Sequence, residues 1–195
     1  PGNRNVDWAD NVFGREIHYG YNSTHGRLWA MKDNKSYEPI LDIESVLAIL
    51  NEISIFAGLS EVQLHTLFQH LNKVKFKTNE TVFEQGDKPD HIYIVKIGKV
   101  KLVIWEDDTP LELVKFPIGH CFGEASVIGI QPHKGTAIAE CETELIVLSR
   151  QALMSIYDSD KELFSILILN IAREVCRRLH AADDVLLHYK LEKQR

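Results

Sequence analysis

Glu124, followed about ten residues on by the neighbours His133 and Lys134, is the grouping whose types and spacing could do chemistry. These residues lie in one segment from Phe122 to Ala137, punctuated by Gly123, Gly129 and Gly135. A short turn of helix fits Glu124 to Ile128. The first backbone N–H groups of such a turn have no partner within the helix, and they attract an anion. A carboxylate beside that site is ill suited to a phosphate alone. It suits a ligand that also offers a sugar hydroxyl, which would donate to Glu124. A cation at His133 or Lys134 would then neutralise the phosphate charge.

Other chemistries lack their motifs. No paired-carboxylate pattern, G-x-S-x-G, H-E-x-x-H or Walker loop is present, so a binding protein is expected and not an enzyme. Glu124 with His133 or Lys134 could in principle move a proton, but a binding pair accounts for the same residues with fewer assumptions. The nine histidines show no metal-ligand spacing, although His120 and Cys121 are adjacent. No metal and no resident cofactor is expected. Three cysteines without a C-x-x-C pattern suit reduced thiols in a cytoplasmic protein. Cys121 and Cys141 stand in strand-like contexts and should be buried. A net charge of −6 argues against general nucleic-acid binding. No apolar run approaches the roughly 20 residues that span a bilayer, and no basic-then-apolar signal segment opens the chain.

The elements that must position the segment are legible from periodicity. Residues 1–41 form an aromatic-rich, irregular N-terminal extension carrying Trp8, Phe13, Tyr19, Tyr21, Trp29 and Tyr37. Two short strands, 16–21 and 27–31, are expected there, packing as a hairpin or strap. From Asp42 the spacing of Ile43, Val46, Leu47 and Leu50 is helical, with Asp42 as cap. Ser60 and Gln63 form a capping box for a second helix with Leu64, Leu67, Phe68 and Leu71 on its apolar face. Residues 73–149 read as short strands between turns, a small sandwich or roll. Leu111 to Phe116 alternates as a half-buried strand should. A short helix fits 150–157, and a long one runs from Asp160 through about 192 without proline or glycine. In it Ile168, Ala172, Val175, Leu179, Ala182, Leu186 and Tyr189 form an a/d seam, while Leu163, Phe164, Leu167 and Ile171 form a second apolar face. The seam predicts a homodimer through this helix.

Phe122-Gly123-Glu124 and, further on, Pro132 and Thr136 resemble the opening and close of the phosphate-binding cassette of the cyclic nucleotide-binding domain family, which includes the catabolite activator and the regulatory subunits of protein kinase A. Residues 55–61 resemble the entry motif of that family. Residues 82–87 and 118–124 also fall in register, and the likeness covers about 43–190. It implies an α+β fold, mainly β: a double-stranded, jelly-roll-like β-roll (about 73–149) with N-terminal helices and a long C-terminal helix, together making one domain over 42–195. It further implies that Glu124 takes a ribose 2′-hydroxyl and that backbone near Gly123, Ala125 and Gly135 holds the phosphate. Thr136 would add a hydroxyl. The family's cassette arginine is absent; its place falls on His133 or, with one extra loop residue, on Lys134. Lysine is a point charge and neutral histidine a single donor, where arginine is a planar fork, so a weaker grip is expected. The function implied is a bacterial-type regulatory sensor for cAMP, cGMP or a related phosphate ligand, signalling through the C-terminal helix. The alternative is a degenerate relative that binds no nucleotide and serves as a dimerisation or docking module. No DNA-reading module is expected in this chain.

Overall fold

The computed structural model describes residues 35–106 and 109–193. The two N-terminal strands expected at 16–21 and 27–31 lie outside the described residues. Among those described, the strands are β1 (Glu38–Pro39), β2 (Leu71–Phe76), β3 (Thr81–Phe83), β4 (His91–Ile97), β5 (Val100–Glu106), β6 (Thr109–Phe116), β7 (Cys121–Phe122), β8 (Thr136–Ala139) and β9 (Thr143–Ser149). The helices are α1 (Ile43–Leu47), α2 (Glu61–Phe68), α3 (Glu124–Gly129), α4 (Arg150–Ser159) and α5 (Lys161–Lys193), with 3₁₀ turns at Leu50–Glu52 and Ser54–Phe56. All strand pairings are antiparallel. They form a five-stranded sheet, β1-β2-β9-β4-β7, and a four-stranded sheet, β3-β8-β5-β6. The expected β-roll with flanking helices is the observed fold.

Two cores hold the roll. Tyr93, Val95, Leu145 and Val147 of the first sheet meet Phe83, Val100, Phe116, Ala137 and Ala139 of the second. The alternate positions, Ile92, Ile94, Ile146 and Leu148, face a separate cluster with Phe56, Leu67, Phe68, Leu163, Leu167 and Ile171. This explains why β4 and β9 read as unbroken apolar runs: both of their faces are covered. Each such side chain taken fully from water contributes about 1.5–3 kcal/mol. Among the described residues, no helix is long and apolar enough to cross a membrane.

The caps are those the residue types favour. Asp42 accepts from the Ser45 N–H, and Ser60 and Gln63 complete the capping box. Ser149 caps α4, and Asp160 breaks the helical path and caps α5. Asn170, buried on α5, donates to the carbonyls of Ile55 and Ala57. That contact docks the long helix on the 3₁₀ segment.

Two expectations fail. Leu111, Leu113 and Val114 are exposed, and Phe116 is the buried residue of β6. The strand is the edge of its sheet, and among the described residues seven of its eight positions are exposed. Cys141 is exposed because it lies in the turn between β8 and β9, while Cys121 is buried as expected. In addition, Glu38 and Pro39, within the stretch expected to be irregular, pair with β2.

Candidate functional site

The site grows from the turn between β7 and α3. Gly123 takes φ +84°, and a Cβ there would lie 2.9 Å from the His91 carbonyl oxygen. Only glycine lets the chain turn this close to β4. The turn throws Glu124 inward as the first residue of α3, where it is 1% exposed. Ala125 stays at the surface. The helix ends at Ile130 with φ +51°, an uncommon conformation for a β-branched residue and one that concentrates at functional loops.

The far side of the segment is tied to the roll. The Gly135 position is narrow, since a Cβ there would meet the Val103 carbonyl oxygen at 2.9 Å. Thr136 is buried, and its hydroxyl oxygen accepts from the Gln85 N–H at 3.1 Å. His133 is buried with its ring stacked on Phe83, centroids 3.7 Å apart. The His133 backbone N–H donates to the Asp87 carbonyl, and its backbone carbonyl accepts from the Gly86 N–H. Lys134 is exposed. Of the two positions onto which the family's arginine could fall, one therefore packs in the roll and the other reaches solvent.

The partner of Glu124 comes from 54 residues away. Arg178, on α5, donates from Nη1 to Glu124 Oε1 at 2.7 Å. Its Nη2 donates to the Cys121 carbonyl and sits 3.8 Å from Cys121 Sγ. Its Nε lies 3.4 Å from Glu174 Oε1, one helical turn back, and its guanidinium rests over the Phe116 ring at 5.1 Å. Glu174 Oε2 also accepts from Ser54 Oγ at 3.0 Å and from Arg177. Glu124 Oε2 is buried with no hydrogen-bond partner. A buried, unsatisfied carboxylate oxygen is costly and calls for a donor.

The electrostatics follow from burial. Desolvation pushes the Glu124 carboxyl above the usual range, while Arg178 and the backbone N–H groups of the turn pull the other way and lose. Burial, aided by the charge of Glu124, pushes the Cys121 thiol up to about 12, so it is an inert, neutral group. For Glu174 burial also pushes upward, but the hydrogen bonds from Arg177 and Ser54 and the two arginine charges hold it below the usual value.

Gly123, Glu124 and Ala125 thus lie on one side of the segment, and His133, Lys134, Gly135 and Thr136 on the other. The sequence reading gave no site role to Arg178 or Glu174, both on the long helix. A cleft of about 410 Å³ lined by Glu52, Ser54, Gly119, His120, Glu174 and Arg177 shares Ser54, Glu174 and Arg177 with this network but none of the seven expected site residues.

Residues 73–160 match the model of the cyclic nucleotide-binding domain. The chain is 28% identical over 139 residues to the CRP-like cAMP-activated global transcriptional regulator of Mycobacterium tuberculosis, covering 71% of this chain and 62% of that protein. Matches to two kinase-related relatives span smaller shares of their lengths, 30% and 13%. The fold resembles a cyclic nucleotide-binding domain from Methylobacillus flagellatus (TM-score 0.66, 22% identity, 74% of this chain and 82% of that one). It also resembles the catabolite activator protein of Thermus thermophilus (TM-score 0.61, 25% identity, 68% and 61%).

Proposed function

We propose, from the match of residues 73–160 to the cyclic nucleotide-binding domain model, that the chain is a cytoplasmic regulatory sensor for cAMP, cGMP or a related cyclic phosphate. Glu124 takes a sugar hydroxyl. The backbone at Gly123, Ala125 and Gly135 receives the phosphate, with Lys134 and the Thr136 hydroxyl beside it. The signal leaves through α5, which pairs with a second copy. The observation that carries this reading is the buried Glu124 Oε2 without a partner. A sugar hydroxyl is the neutral donor that would satisfy it.

One observation favours a second reading. Arg178 already holds Glu124 Oε1 and the Cys121 carbonyl, so the protein's own side chain stands at the carboxylate. On this reading the domain is a docking or dimerisation module that binds no nucleotide. Calorimetry separates the two. Titrating the protein with cAMP and with cGMP is expected to give heat at one ligand per subunit. Affinity is expected about tenfold to a hundredfold weaker than with a cassette arginine, the worth of one charge-assisted hydrogen bond. No heat from either nucleotide at millimolar concentration would leave the docking module.

A further inference from the structure

We propose that Arg178 supplies, from α5, the guanidinium that the cassette itself lacks, so that binding of the cyclic phosphate and docking of α5 become one equilibrium. This rests on the nucleotide-binding reading above and adds to it the group that meets the phosphate charge.

The cassette's own candidates are poorly equipped. The His133 ring is buried face-on against Phe83. Lys134 is exposed and offers a point charge on a flexible stem. Among the described residues the guanidinium at Glu124 is that of Arg178, and its environment is built. Glu124 takes Nη1, the Cys121 carbonyl takes Nη2, Glu174 backs Nε, and Phe116 lies beneath the plane. Glu174 is itself steadied by Ser54 and Arg177. A guanidinium carries five N–H donors. Nη1 and Nη2 each spend one on an oxygen, and Nε faces Glu174 Oε1 as an ion pair at 3.4 Å. One remains on Nη1, and the second on Nη2 meets only the Cys121 sulfur at 3.8 Å. Arg178 can therefore keep Glu124 and still present two donors to a phosphate, while Glu124 Oε2 takes the sugar hydroxyl.

The consequence is reciprocal. A cation carried on the helix binds ligand only while the helix is docked, and bound ligand holds the helix down by the same factor. A cation in the cassette would impose no such condition.

Calorimetry with cAMP and cGMP, on the whole chain, tests this with wild type, Arg178→Gln, Arg178→Lys, and Arg178→Gln combined with Lys134→Arg. Arg178→Gln is expected to lose affinity about tenfold to a hundredfold. Arg178→Lys, which keeps the charge and loses the fork, falls between. Lys134→Arg in the Arg178→Gln background recovers most of the loss. Hydrogen exchange gives a second readout that a merely structural arginine would not move. Nucleotide should slow exchange along residues 161–178 in wild type but not in the rescued double variant. Wild-type affinity in folded Arg178→Gln would overturn this inference and leave the nucleotide reading intact. Absence of heat in wild type and every variant would overturn both.

Discussion

At the scale of single residues, Glu124 carries the tension of the site. It is ionisable and almost wholly buried: Arg178 holds Oε1, while Oε2 makes no hydrogen bond although the N–H groups of Glu124 and Ala125 act on the carboxylate. Burial outweighs the arginine and raises its pKa above the ordinary 4.5. The folded state therefore binds the proton more tightly than the unfolded chain. Its stabilising contribution is complete at low pH and is lost as the pH climbs from 4.5 through the folded value. Glu124→Gln has no such proton to lose. Thermal unfolding from pH 4 upward is expected to show the variant gaining on wild type as the pH rises. Parallel curves would mean that water or backbone already compensates the carboxylate. Gly135 is a residue-scale constraint of another kind. Gly135→Ala places a methyl 2.9 Å from the Val103 carbonyl oxygen, and backbone on both sides has little freedom to yield. A loss of about 1–3 kcal/mol is expected in denaturant unfolding, as for other overpacked sites.

At the scale of elements, the site is a meeting of three pieces: the β7–α3 turn, the segment entering β8, and α5. The first two belong to the roll and are fastened to β4, β5 and the turn at Gly86–Asp87. The third arrives from outside, held by apolar contacts of Leu163, Leu167 and Ile171 and by Asn170 on the 3₁₀ segment. Its grip on the cassette is a small set of polar contacts centred on Arg178. Elements docked by few contacts open more readily than cores do, which suits a part that must respond to ligand. The seam along α5 divides at this point. Ile168 and Val175 pack partly against their own domain, whereas Leu179, Leu186 and Tyr189 are half exposed or more.

At the scale of the whole molecule, that exposed half of α5 is the reason to propose a dimer. Leu179, Val185, Leu186, Leu187, Tyr189 and Leu191 lie at 50–70% exposure, and every described residue past Arg178 is exposed. Sedimentation is expected to give a dimer for wild type and a monomer for Leu186→Asp, with unchanged far-UV circular dichroism because Leu186 supports no core of its own. A monomeric wild type would remove the dimer and leave the seam unexplained.

Much was settled by order along the chain. Alternating and continuous apolar runs specify strands covered on one face or two, Asp42, Ser60 and Asp160 start helices, and glycines mark the turns; each is a local preference, so each is readable locally. The F-G-E opening and the P-x-x-x-T close locate the cassette for the same reason. Burial was less secure where it depends on neighbours: β6 alternates like a half-buried strand yet is an edge, and Cys141 sits one turn outside the strand that would have covered it. The pairing of Glu124 with Arg178 had no local signal at all. It joins residues 54 positions apart through a helix whose docking is decided by Asn170, Leu167 and Ile171, and only packing in three dimensions determines which of the helix's arginines faces the carboxylate.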